Sequence, residues 1–234
     1  MNSPDREAYW LRTFSELHAR SHDYLDYATA EEQTFTFGAC LLAAGPVAGT
    51  TCLDAGCGKG GFARVLRALG ARQVVGLDLV ASTIEALRRS DPDIRWESGD
   101  VSDAATMNTL GLFEAVFAIE ILQCVSTLTA CQNMWDAVAP GGRLIGVVPN
   151  GDNAFVQHRV AERPGLYAPL GVAALVEQIR TLANVADWGL MGFVWREDRS
   201  SILYDLLPLT SAPQWDDPPK RVLFIARKSA GAPH

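Results

Sequence analysis

The residues best placed to do chemistry cluster in one run, Cys52-Leu53-Asp54-Ala55-Gly56-Cys57-Gly58-Lys59-Gly60-Gly61. An apolar stretch from Thr51 to Leu53 stops at the carboxylate of Asp54, and glycines follow at alternate positions. Phe62, Val65, Leu66 and Leu69 then recur at helical spacing. The pattern predicts a strand, a tight bend and a helix start. Glycine opens backbone angles closed to other residues and lets a ligand approach the main chain. A helix start offers unpaired N–H groups and a positive dipole end. The glycines alone leave the ligand open. Gly56, Gly58 and Gly61 satisfy the dinucleotide fingerprint G-x-G-x-x-G, Gly56, Gly58 and Gly60 satisfy G-x-G-x-G, and a bend without a ligand is a third reading.

Asp54 bears on that choice. A carboxylate two residues before the first glycine repels a pyrophosphate and suits a ligand with positive charge, such as the sulfonium and α-ammonium of S-adenosylmethionine. Further along, Gln73 to Asp78 reads as a second strand ending on an acid about twenty residues past the glycines, where ribose hydroxyls are bound in NAD enzymes and S-adenosylmethionine enzymes alike. A helix N-cap is the alternative for Asp78, with Ser82 competing for that role. Leu79 is expected on the adenine face. Ile94 to Asp100 is a third strand closing on Gly99-Asp100, and Phe113 to Ile119 a fourth, apolar enough for a central parallel position. Glu120 follows it, at the end where open α/β sheets place their chemistry. Glu120 faces either the ligand or a helix it caps, and His158 is either a general base or a surface histidine.

Asp54-x-Gly56-x-Gly58-x-Gly60 resembles the first motif of class I S-adenosylmethionine-dependent methyltransferases. The similarity continues in order through Asp78, Gly99-Asp100, Phe113 to Ile119 and Pro140-Gly141-Gly142, over roughly residues 50 to 150. The resemblance implies a single domain, residues 1–234, with a doubly wound, Rossmann-like, mostly parallel α/β sheet of seven strands, the last antiparallel, and helices on both faces. It implies S-adenosylmethionine as cofactor and S-adenosylhomocysteine as product. Asp54, Gly56, Cys57, Gly58, Gly60, Asp78, Leu79, Asp100, Val101 and Ile119 would bind it, with Asp100 accepting from the adenine amino group and the Val101 backbone beside it. Glu120 and His158 are the catalytic candidates. Where the family often shows a histidine after the fourth strand, this chain has Cys124. Related enzymes close a segment ahead of the first motif over the site; here residues 1–45 would be that lid, with Tyr24 and Tyr27 touching the acceptor.

The elements that must position these residues follow from periodicity. Strands alternating with helices imply a doubly wound sheet. Tyr9, Trp10, Phe14 and Leu17 mark a helix over 5–20, and 33–44 reads as a second helix. Leu128 to Val138 and Leu170 to Leu182 are helical, and Pro140-Gly141-Gly142 is a turn before a strand over 143–148. Phe155, His158 and Arg159 lie on a helix after that strand, and Arg159 and Arg163 are candidate grips for an anionic acceptor. Trp188 to Trp195 and Arg221 to Arg227 form an antiparallel edge pair. The Pro- and Asp-rich stretch between them, 196–220, reads as a loop or pocket wall. Residues 46–150 are the cofactor core and 151–234 the acceptor side.

Composition sets the bounds. The 234 residues carry 20 Lys and Arg against 27 Asp and Glu, a net charge of −7, which argues against a nucleic-acid or anionic-membrane surface. Five cysteines without a C-x-x-C pair fit a reduced, cytoplasmic protein with small buried thiols, and no metal is expected. The charged N-terminus lacks a signal-peptide core, and no apolar run approaches a membrane span. The expected partner is a small-molecule acceptor, N- or O-methylated with nitrogen favoured; no base is convincing beyond Glu120 and His158, which points to an amine or an already acidic ring NH or OH, and the chain is expected to be a monomer or homodimer. The alternatives are an NAD(P)-dependent oxidoreductase and a non-catalytic S-adenosylmethionine-binding subunit.

Overall fold

Apolar runs that alternate with amphipathic ones bury their hydrophobic surface by stacking as a covered sheet. The computed structural model describes residues 4–19, 30–125, 127–162, 164–198, 201–208 and 218–231. Five strands run parallel: β1 (Thr51–Ala55), β2 (Gln73–Asp78), β3 (Arg95–Ser98), β4 (Phe113–Ile119) and β5 (Val138–Pro149). With β6 (Val185–Asp198), β7 (Ser201–Pro208) and β8 (Arg221–Lys228) they form one sheet of order β3-β2-β1-β4-β5-β8-β6-β7. β8 is antiparallel to both β5 and β6. The expected seven strands with an antiparallel last one are therefore present, and β7 adds an eighth at the edge.

That eighth strand corrects the loop expected over 196–220. β6 runs on to Asp198, and β7 pairs antiparallel with it from Met191–Pro208 to Asp198–Ser201. The pairing satisfies backbone groups that β6 would otherwise present as a bare edge. Pro140-Gly141-Gly142 is also not a turn between elements. It lies inside β5 as a bulge, where pairing jumps from Phe113–Val138 to Ala115–Arg143. A Cβ on Gly142 would stand 2.9 Å from the carbonyl oxygens of Ala139 and Glu114, so only glycine fits that crossing.

The helices are α1 (Pro4–His18), α2 (Ala30–Ala44), α3 (Gly61–Ala68), α4 (Ala81–Ser90), α5 (Ala104–Leu110), α6 (Thr127–Asp136), α7 (Ala154–Glu162) and α8 (Val172–Thr181). Alternation along β4 shows how they share the sheet. Ala115 and Phe117 pack with Cys40 of α2, Leu66 of α3 and Ile84 of α4, while Val116 and Ala118 pack with Met107 of α5, Met134 of α6 and Leu175 of α8. Residues i and i+2 of a strand share a face, so each face is one core. No motif announced α5. Asp103 starts it by accepting from the N–H groups of Ala105 and Thr106, both at 3.1 Å. All five cysteines are free and buried. No helix among the described residues is long and apolar enough to cross a membrane.

Candidate active site

β1 ends in a bend whose glycines all take the left-handed region: Gly56 at φ +75°, Gly58 at +53° and Gly60 at +76°. The bend is stitched to the end of β2. Gly56 and Cys57 donate to the Leu77 carbonyl at 2.8 and 2.9 Å, and Gly58 donates to Asp78 Oδ2 at 2.8 Å. Cys57 is buried, and burial followed by the fields of Asp54 and Asp78 pushes its thiol up. A Cβ on Gly56 would meet Ile121 Cδ1 at 2.5 Å, so Ile121 closes directly onto the main chain.

Gly60 opens α3 without a side chain to cap it. Asp54 does that work from the strand end, accepting from the Ala63 N–H. Asp54 is only 2% exposed, and its Oδ2 is buried with no hydrogen-bond partner. Burial raises its pKa to about 7; the Ala63 N–H opposes that rise and Asp78 adds to it. An orphaned carboxylate oxygen under the bend fits a cation and disfavours a phosphate. S-adenosylmethionine, with its sulfonium and ammonium, meets that requirement.

Two half-buried acids follow at the ends of β2 and β3. Asp78 Oδ1 accepts from the Val80 N–H at 2.9 Å, which holds the carboxylate at the tip of β2 with Leu79 half-buried beside it. Asp100 Oδ1 accepts from the Ser102 N–H at 2.7 Å in a turn beyond β3. Val101 is buried, and its carbonyl is fixed by Asn133 Nδ2 at 3.0 Å. Ile119, half-buried, ends β4 opposite Val147 of β5. The bend, both acids, Leu79, Val101 and Ile119 thus share one edge, the C-terminal ends of β1 to β4.

Glu120 departs from the expectation of a free base. Its backbone sits at φ +57°, a conformation side chains rarely adopt. Its Oε1 accepts from Arg221 Nε, and Gln123 Nε2 donates to its backbone carbonyl at 2.7 Å. Arg221 also donates through its NH1 to Glu32 Oε1 on α2. The Arg221 and Glu32 side chains are 5% and 2% exposed, and Lys220 Nζ lies 3.9 Å from Glu32. Glu120 is therefore one arm of a buried ion network. His158 takes the second of its two readings, a surface histidine. Its side chain is 72% exposed and paired with Glu162 one turn along α7, at 3.3 Å, so nothing buries or aims it as a base. Tyr24, Tyr27 and Arg163 lie outside the described residues. Arg221, Glu32, Gln123 and Lys220 were missed by sequence reasoning, because residues 32, 120 and 221 are joined only by the fold.

A third small core joins α1 to the elements after β4 and β5. Trp10 of α1, Cys124, Val156 of α7 and Tyr167 pack together, and Trp10 Nε1 donates to the Leu166 carbonyl at 2.8 Å. α1 also touches α4, so it reaches elements from both halves of the sheet.

Residues 52–142 match the family described as a methyltransferase domain. A ubiquinone biosynthesis O-methyltransferase from Albidiferax ferrireducens is 35% identical over 106 residues, which span 42% of this chain and 40% of that protein. One from Xanthomonas oryzae pv. oryzae is 29% identical over 199 residues, 81% of this chain and 75% of that protein. Among solved structures, the N-methyltransferase NodS from Bradyrhizobium japonicum in complex with S-adenosyl-l-homocysteine has a TM-score of 0.61 at 18% identity, covering 93% of this chain and 97% of that one. The matched span runs from the strand that carries Asp54 to the bulge of β5, and the acid beneath its glycine bend asks for a cationic nucleoside. Residues 52–142 are thus similar to a methyltransferase domain, and the chain as a whole shares the fold of an S-adenosylmethionine-dependent methyltransferase.

Proposed function

We propose that this methyltransferase acts on an acidic hydroxyl of a small aromatic acceptor. The observation that carries the reading is the buried pairing of Glu120 with Arg221. Among the described residues, Glu120 at the reaction edge is neutralised by a guanidinium that it shares with Glu32, and His158 stands in solvent. An acceptor that ionises by itself near neutral pH needs no dedicated base. The O-methyltransferase names of the curated relatives support oxygen over the nitrogen favoured from sequence. An amine remains the second reading, supported by the same engagement of Glu120 and exposure of His158 and by the N-methyltransferase activity named for the NodS neighbour.

When bound, S-adenosylmethionine supplies a methyl group already activated by its sulfonium. The chain's own task is to hold the two reactants in line and exclude water, an effect that reaches about 7–11 kcal/mol in favourable systems. Asp54 would hold the ammonium, Asp78 the ribose and Asp100 the adenine. Residues 1–45 serve as a lid in this reading, pinned through Trp10 to Leu166 and through Glu32 to Arg221.

The test is a panel of catechols, phenols, amines and heterocycles with methyl-labelled cofactor, scored by S-adenosylhomocysteine release. Turnover that falls as the acceptor hydroxyl becomes less acidic supports the proposal. Turnover confined to amines selects the second reading. Calorimetry showing tight NADH binding and no binding of S-adenosylhomocysteine would remove both.

A further inference from the structure

The reaction edge continues past Glu120 to a ledge that none of the cofactor motifs uses. Because β8 is antiparallel to β5, with Arg221 opposite Pro149, the residues entering β8 arrive where β5 ends. Two buried asparagines in the turn after β5 build the ledge. Asn150, fully buried, donates its backbone N–H to the Lys220 carbonyl and its Nδ2 to the Pro219 carbonyl, each at 2.9 Å. Asn153 grips both sides at once: its Nδ2 donates to the Pro218 carbonyl at 2.6 Å, and its Oδ1 accepts from the Phe155 N–H at 3.1 Å. The backbones of Lys220 and Phe155 are thus locked to a common support.

The side chains meet above it. Lys220 Nζ lies 4.8 Å from the centre of the Phe155 ring, and Phe155 is an exposed aromatic. The Lys220 side chain is 34% exposed. Four charged groups face it from the packed elements: Glu32 of α2, Glu120 after β4, Arg159 of α7 and Arg221 of β8. Arg221 binds both carboxylates directly, whereas Lys220 reaches Glu32 only at 3.9 Å. The geometry leaves Lys220 as the cation on this ledge that is aimed beside an open aromatic face.

We propose that Lys220 is an acceptor-binding residue, its ammonium taking the ionised ring oxygen of an aromatic acceptor laid along Phe155. The inference rests on the acidic-hydroxyl reading above and deepens it: a cation at this position favours the anionic form of a phenol, so that the acceptor is ionised without help from Glu120 or His158. Burial, and the neighbouring Arg221 and Arg159, lower the pKa of Lys220 against the opposing pull of Glu32 and Glu120.

The test uses 4-nitrocatechol, whose phenolate is coloured, added to the protein with S-adenosylhomocysteine and titrated with pH. The expected result is a bound catechol that ionises about one pH unit or more below the free one. In Lys220→Met that displacement disappears and the probe binds at least tenfold more weakly, while Lys220→Arg retains most of it. Calorimetry of S-adenosylhomocysteine checks that each variant is folded and loaded. A probe that fails to bind the wild type, that binds with an unshifted titration, or that is unaffected by Lys220→Met overturns the proposal. Those outcomes leave the methyltransfer panel unaffected, so failure of the residue assignment and failure of the acceptor class are read separately.

Discussion

The ionisation of Asp54 gives the sharpest prediction. In the unfolded chain its carboxyl has the ordinary value of 3.8; in the folded chain, burial and Asp78 raise it to about 7. Between those two values the folded protein keeps a proton that the unfolded chain has lost. Stability without cofactor therefore falls as pH rises from about 4 to about 7, and levels off above. A difference of about three units corresponds to roughly 4 kcal/mol, an order-of-magnitude figure for so buried a group. Asp54→Asn removes the titration but keeps an oxygen for the Ala63 N–H. At pH 8 the variant without ligand should be more stable than the wild type by about 2–4 kcal/mol, or about 4–16 °C in melting temperature for a chain of this size. Its affinity for S-adenosylhomocysteine should fall at least tenfold, and wild-type affinity should rise between pH 5.5 and 7 as Asp54 ionises to meet the ammonium. Thermal melts of both proteins across pH 5 to 8, with and without ligand, read all of this. Parallel stability curves for wild type and Asp54→Asn would refute the argument, because they would mean that no buried charge is paid for at this position.

Two further substitutions probe the same edge. Asp78→Ala should weaken S-adenosylhomocysteine binding by about 1–3 kcal/mol, since charge-assisted bonds to the ribose are lost and the Gly58 and Val80 N–H groups lose their acceptor; an unchanged dissociation constant by calorimetry rejects the ribose role. Arg221→Met should destabilise the protein by about 3–5 kcal/mol by leaving Glu32 and Glu120 buried without their cation, and adding Glu32→Gln should recover part of that loss in a denaturant melt. No recovery would show that the two carboxylates do not share Arg221.

The legible parts of the fold were those with local causes. β2 and β4 have the bounds expected from their apolar runs, ending at Asp78 and Ile119. The placement of Asp54, Gly56, Gly58, Asp78 and Asp100 along one edge was equally readable, since each lies within a few residues of a strand end. Non-local causes were hidden. The bulge at Gly142 depends on the carbonyl of Glu114 across the sheet, and β7 exists because β6 offers it an edge. Glu120 looked like a base because nothing near it in sequence reveals Arg221, which lies 101 positions away. His158 carried no periodic signal separating a solvent-facing position from an inward one.

The reversal of β8 has a consequence for how such an enzyme changes its specificity. In the proposed site, strands β1 to β4 each present their last residues to the donor. β8 presents its first residues, so the segment feeding it can vary in length or chemistry while the donor half stays in register. Asn150 and Asn153 anchor that segment only through its main-chain carbonyls. Side chains at 218 to 220 are thus open to exchange at a fixed backbone height, and under the proposed function the scaffold would separate choosing a partner molecule from holding the methyl source.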